Sequence, residues 1–304
     1  MTGEQQAGPT AAPFTVRVLG LRRSWRGAEV CAHLQRAGLR VSRVEGVDLL
    51  DPAVRFDGRP PADWVDVRGC RLVVRRTLTD GEVGCALAHL RAQREAAVRG
   101  EDWSVVLEDD VTPPQVEDLT TLVGWCRTRV PDDEPTVVLL YARGAIVVPE
   151  PVAALGHATV WATVVPPDCA LGYVLNRAAA ELLVGATLPL IGPSDWPPRV
   201  AGRMRFLVAD PPLVRPREVA STIGDRPGDS WPRWSRPLRR LLLVTGLLWP
   251  WYRRRMSFTA YRTLEWDRTV VRRRLGSGWS ATSTRPTTSP PPLVPWRRGG
   301  GHRS

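Results

Sequence analysis

The sequence predicts an α/β protein built on a central, mostly parallel sheet, followed by a basic C-terminal tail. Two observations predict the sheet. Short β-branched runs alternate with helical stretches over about 210 residues, the pattern of strands joined by crossover helices. One of those runs, Trp103 to Leu107, is apolar enough to be a buried strand and leads straight into three acids. A third observation, the charge distribution, separates the tail from the body. A chain of 304 residues suffices for one large domain or two small ones without disulfide staples.

Taken in order, residues 1–13 are small, polar and Pro-containing and are expected to be disordered. Phe14 to Leu19 reads as a strand, Gly27 to Ala37 as an amphipathic helix stopped by Gly38, and Val41 to Val47 as a second strand. Residues 51–76, broken by Gly58, Pro60 and Pro61, read as irregular. Thr79-Asp-Gly-Glu82 is a capping box, so a helix should run from there to about Arg99, ended by Gly100 and Asp102. After the Trp103–Leu107 strand, further strands are expected at Thr136 to Tyr141, Ile146 to Val148, Ala170 to Leu175 and Arg205 to Val208. A helix is expected from Arg177 to Leu183. No internal repeat is visible.

All 42 basic residues are arginine, which excludes a P-loop lysine, a Schiff-base lysine and a kinase-type ion pair. The net charge of +11 belongs to the tail. Residues 226–304 carry 17 Arg against Asp229, Glu265 and Asp267, whereas the rest of the chain is net −3. That distribution favours an anionic surface as the tail's partner over specific nucleic-acid binding. Five cysteines, Cys31, Cys70, Cys85, Cys126 and Cys169, show no CxxC pair and no Cys/His cluster with zinc-ligand spacing. They read as small buried hydrophobes in a reducing compartment. The first residues show neither a basic n-region nor an apolar h-region, so no secretory signal is expected. The expected location is cytoplasmic or peripheral at the inner face of the cell membrane.

The tail has its own chemistry. Arg236-Pro-Leu-Arg-Arg240 precedes the apolar run Leu241 to Tyr252, and Arg253 to Arg255 follow. Twelve residues are too few to cross a bilayer, which needs about 20. Trp249 and Trp251 beside arginines suit a membrane interface, so residues 236–255 are expected to dock on anionic lipid. The alternative is that the run completes the core while the arginines stay solvated. Residues 276–304 are rich in Ser, Thr, Pro and Gly and are expected to be disordered.

Three constellations could carry chemistry. Glu108-Asp109-Asp110 sits where α/β proteins place ligands, beyond the carboxyl end of a strand. Alternation lets Glu108 and Asp110 converge while Asp109 points away, and two hard oxygen ligands suit Mn²⁺ or Mg²⁺. A charged turn would look the same. Glu82, Cys85 or Ala86, and His89 share one helix face, where His89 could touch a phosphate or ribose or hold a carboxylate. Capping already explains Glu82, and packing explains Cys85. Pro193-Ser-Asp195-Trp196 places one acid beside an indole, as a sugar subsite or a plain turn would.

The order of these pieces carries a resemblance. Thr77-Leu-Thr-Asp-Gly-Glu-Val-Gly-Cys-Ala-Leu-Ala-His89 followed by Val105-Val-Leu-Glu-Asp-Asp-Val111 resembles family 25 glycosyltransferases, the lipooligosaccharide-biosynthesis, β-1,4-galactosyltransferase-like enzymes. Softer pieces follow in order at Leu171 to Leu183, Pro193 to Asp195, Pro212 to Val214 and Ser221 to Ile223. The opening Val18 to Leu21 with Arg22 to Arg26 is similar as well. The resemblance spans about residues 14–225. The chain departs from the family pattern at Gly20, Arg22, Ala88 and Thr222.

The resemblance implies a GT-A-type nucleotide-sugar-binding fold over residues 14–225; composition marks 226–275 as a basic, membrane-proximal segment. It implies metal-assisted, inverting transfer of a galactose-like hexose from a UDP-sugar to a hydroxyl of a glycan or lipid-linked acceptor. By that likeness Glu108 and Asp110 hold the metal, Asp195 is the base with Asp109 in reserve, and Glu82, His89, Arg23 and Arg26 bind the donor. The alternative allowed by the four departures is a non-catalytic relative that binds a glycan or an anionic membrane.

Overall fold

The computed structural model describes residues 14–217, apart from residues 75, 143–144, 165, 195 and 201, together with the backbone of a strand at 262–264. In chain order the elements are β1 (Thr15–Gly20), α1 (Trp25–Arg36), β2 (Arg40–Glu45), α2 (Val67–Val73), α3 (Asp80–Val98), β3 (Trp103–Glu108), β4 (Val111–Thr112) and α4 (Val116–Arg129). They continue with β5 (Thr136–Leu139), β6 (Ala145–Leu155), β7 (Ala158–Thr163), β8 (Gly172–Asn176), α5 (Arg177–Thr187), β9 (Arg205–Asp210), β10 (Arg215–Pro216) and β11 (Arg262–Leu264).

Nine of the strands form one sheet in the order β11-β6-β7-β9-β5-β8-β3-β1-β2. Six of them, β1, β2, β3, β5, β6 and β9, run one way, and β7, β8 and β11 run the other. Because the reversed strands sit among the rest, the parallel neighbours are β1 with β2 and β3, and β5 with β9. The α/β class therefore holds, with a mixed pairing. The alternation signal marks crossover units but is blind to a reversed strand inserted between them.

Side-chain alternation splits the core into two faces. Val16, Val18, Val105 and Leu107 pack on α1 (Val30, Leu34) and α4 (Leu119, Leu122, Val123). Val106, Tyr173 and Leu175 pack on the alanines of α3 (Ala88, Ala92, Ala96) and on Ala179, Ala180 and Leu183 of α5. The other side of α3, through Val83, Leu87 and Leu90, packs on Val47, Phe56 and Leu190. Helix α3 is thus buried on two sides. At Gly84 a Cβ would lie 2.3 Å from the Val47 carbonyl oxygen, so only glycine lets the 47–49 segment approach this closely.

The caps follow the local sequence. The Thr79 hydroxyl accepts from the Glu82 amide and the Glu82 carboxylate accepts from the Thr79 amide, completing the expected box. Such a cap stabilises by about 1 kcal/mol. Ser24 caps α1, which starts two residues earlier than its apolar pattern suggests and ends before Gly38 at φ +82°.

Three stretches differ from the sequence expectation. Residues 51–76 are not irregular throughout: a 3₁₀ turn at Pro61–Trp64 leads to α2, capped by the Asp66 carboxylate on the Gly69 amide. Helix α4 fills a stretch where no element was expected. Strand β6 runs on to Leu155 and turns at Gly156 (φ +56°) into β7, extending the short strand foreseen at Ile146 to Val148 into a hairpin. The expectations for residues 1–13, for the membrane-docking run 236–255 and for 276–304 lie outside the described residues. Within the expected membrane-proximal segment, β11 pairs antiparallel with β6, Arg262 opposite Val147. Among the described residues no helix is long and apolar enough to cross a membrane.

Candidate functional site at the carboxyl edge of β3

Strands β1 and β3 lie side by side and end together, Leu19 opposite Glu108. From this edge β1 passes through a short loop into the N-terminus of α1, and β3 passes into the three acids. Arg43 pins the loop: its Nη2 donates to the carbonyls of Leu21 and Ser24 at 2.8 Å and of Arg22 at 3.2 Å.

The first two carboxylates part toward different helices. Glu108 continues the alternation of β3 and turns toward α3, where His89 Nε2 lies 3.1 Å from its Oε1 and Cys85 Sγ lies 3.8 Å from the same oxygen. Asp109 turns to the start of α1, where it accepts from the Ser24 hydroxyl and faces Arg26 at 3.6 Å. It points away from Glu108, as alternation requires. Asp110 is held by its backbone, the Arg217 amide donating to its carbonyl at 2.7 Å. Its side-chain Oδ1 is buried without a hydrogen-bond partner among the described residues. Burial, with repulsion from Glu108 and Asp109 added, pushes the Asp110 carboxyl up to about 6 against the pull of Arg26.

His89 is 2% exposed and holds a carboxylate, one of the two roles open to it in the sequence. Its other ring nitrogen, Nδ1, lies 3.1 Å from the Tyr173 hydroxyl, and Gln93 Nε2 donates to that hydroxyl at 3.2 Å. Burial raises the Tyr173 phenol, which keeps it an O–H donor. A chain of hydrogen-bonding groups thus runs from Gln93 through Tyr173 and His89 to Glu108. Tyr173 arrives from β8, and nothing local in the sequence ties it to His89.

Cys85, His89 and Glu108 form the one group of three potential metal ligands among the described residues, with ligand atoms within 4.8 Å of one another. Asp110 is not part of it. Cys85 and His89 are four residues apart on α3, a spacing visible in the sequence, where packing was reason enough for Cys85. None of the five cysteines forms a disulfide.

The other candidates divide. Glu82, 2% exposed, is engaged at both oxygens by Arg76 at 2.6 Å and by the Thr79 amide, so its carboxylate is committed to the start of α3. Arg26 stands at the acidic edge, and Arg23 is exposed on the loop before α1. Asp195 lies outside the described residues. Its neighbours Ser194 and Trp196 line a cavity of about 200 Å³ between α2, α3, α5 and the 190–198 segment, with His89 and Gln93 in its wall. Gln93 is 5% exposed, and its Oε1 has no partner among the described residues.

Gly20 lies against the acidic turn. A Cβ there would lie 3.0 Å from both Cβ and Oδ2 of Asp109, so the glycine makes room for the Asp109–Ser24 contact. No protein-family model matches the chain, and no curated protein matches it.

Proposed function

We propose that the protein is a glycosyltransferase of GT-A type, moving a galactose-like hexose from a UDP-sugar to a hydroxyl of a glycan or glycolipid. The observation that carries this reading is the acidic edge itself. Three consecutive carboxylates close a central strand, Asp109 at the N-terminus of α1 and Glu108 toward α3, and one buried oxygen, Asp110 Oδ1, lacks a partner among the described residues. A buried carboxylate repelled by two neighbours suits a divalent cation, so the residues fit Mn²⁺ or Mg²⁺ held by Glu108 and Asp110. When bound, such an ion neutralises the charge that develops on the leaving diphosphate.

The chain's own residues supply the rest. The N-terminus of α1, with Arg23 and Arg26 beside it, offers amides and positive charge to the diphosphate. Asp109 fixes that end of α1 through Ser24 and Arg26. His89 sets the direction of Glu108. Asp195 is the base in this reading. It takes the proton of the acceptor hydroxyl as that oxygen bonds to the anomeric carbon and the bond to UDP breaks on the opposite face. The Arg-rich segment 236–255 holds the enzyme on anionic lipid near a lipid-linked acceptor.

The test is UDP binding by calorimetry with and without Mn²⁺, on the wild type and on Asp110→Ala. Metal-dependent binding that disappears in the variant supports the reading. Absence of UDP binding by folded wild-type protein overturns it. That outcome would favour a second reading, a glycosyltransferase-like protein that binds a glycan or anionic membrane without catalysis. The commitment of Glu82 to Arg76 and of Asp109 to Ser24 favours that alternative.

A further inference from the structure

We propose that Cys85, His89 and Glu108 form a binding site for a borderline transition-metal ion of the Zn²⁺ class, sharing Glu108 with the hard-cation arrangement but using Cys85 and His89 in place of Asp110. The inference goes beyond the glycosyltransferase reading and does not depend on it.

Geometry is the first argument. Zinc bonds of about 2.0–2.3 Å to nitrogen, oxygen and sulfur give tetrahedral edges of about 3.3–3.6 Å. The Glu108 oxygen lies 3.1 Å from His89 Nε2 and 3.8 Å from Cys85 Sγ, within a few tenths of an ångström of those edges. Two ligands come from successive turns of α3, which is buried on both sides, and the third from the end of β3. The Cys85–His89 edge is within 4.8 Å, and three protein ligands leave a fourth position open to water or an anion.

Ligand chemistry is the second argument. A thiolate and an imidazole favour Zn²⁺ or Co²⁺ over Mn²⁺ and Mg²⁺, which prefer all-oxygen sets.

The support behind His89 is the third. Metal-bound histidines need a hydrogen-bond partner on the other ring nitrogen. Here that partner is Tyr173, backed by Gln93, whose amide has one end on Tyr173 and the other end buried without a partner among the described residues. The chain can therefore run in reverse. With an ion on Nε2, the single imidazole proton sits on Nδ1 and donates to Tyr173. The phenol then donates to Gln93 Oε1 once the amide turns over.

The experiment is a Co²⁺ titration of the metal-stripped full chain without nucleotide, followed by absorption and then by Zn²⁺ competition. The expected result is one Co²⁺ per chain with a thiolate-to-cobalt charge-transfer band, displaced by Zn²⁺. The band should be absent in Cys85→Ser and retained in Asp110→Asn. In Tyr173→Phe it should be retained with affinity lowered on the order of tenfold. Circular dichroism confirms that each variant is folded. A folded wild type without the band, or a band that persists in Cys85→Ser, overturns the proposal. Loss of Mn²⁺-dependent UDP binding in Asp110→Asn with the band intact would separate the two sites.

Discussion

Arg17, whose side chain has no exposed surface, donates to the carboxylate of Glu101 at 2.9 Å from the middle of β1. Burial works to raise the Glu101 carboxyl, but hydrogen bonds from Arg17, Thr15 and Ser104 and the charge of Arg17 outweigh it, and the group lies below its ordinary value. A carboxyl lowered in the folded state contributes stability above its unfolded pKa and loses it as pH falls through the folded value. Glu101→Gln should therefore cost about 3 kcal/mol at neutral pH, the magnitude for breaking a buried pair. The gap to wild type should close as the medium is acidified below the usual carboxylate range. Urea unfolding at several pH values reads this directly, and a gap independent of pH would count against it.

Gly20→Ala places a methyl against the Cβ of Asp109, an atom too near the backbone to swing aside. The strand end or the Asp109 turn must shift, and overpacking of this kind costs about 1–3 kcal/mol. We expect lower thermal stability and weaker Mn²⁺-dependent UDP binding together. Unchanged UDP affinity would place the diphosphate away from Asp109.

Glu82→Gln separates structure from recognition. With its carboxylate on Arg76 and on the Thr79 amide, the loss should appear as reduced stability, about 2 kcal/mol for a partly buried ion pair deprived of one charge. UDP affinity should change less than about twofold, a factor worth under half a kcal/mol. A large loss of affinity at unchanged stability would restore Glu82 to the donor site.

Asp110→Asn removes a charge that burial and two neighbouring acids disfavour. In metal-free protein at neutral pH the variant should be more stable by about 1 kcal/mol, while Mn²⁺-dependent UDP binding is lost. Stability gained where binding is lost is the expected mark of a site that holds strain for function.

Helix α3 was legible because its start is written locally. Thr79 and Glu82 are three residues apart, and the capping box needs nothing distant. The position of the acidic triplet was legible for a similar reason, since an apolar run ending in acids marks both a buried strand and its exit. Helix α4 was not legible: Gly124 and the threonines between Leu119, Leu122, Val123 and Cys126 blur its apolar stripe. The partners of His89 were beyond reach for a different reason. Tyr173 is 84 residues away, and only the pairing of β8 against β3 brings it there. The commitment of Glu82 to Arg76 was hidden because a capping box shows one use of a carboxylate and is silent about its second oxygen.

Helix α3 also carries most of the unusual chemistry on a single rod. Its first turn holds Glu82, the next turns hold Cys85 and His89, the one after holds Gln93, and Glu95 reaches Arg17 at 3.6 Å. His89 and Gln93 are one turn apart, so the wall of the cavity and the support of the acidic edge belong to the same rigid piece. A molecule seated in the cavity would therefore meet His89, the residue that holds Glu108, directly.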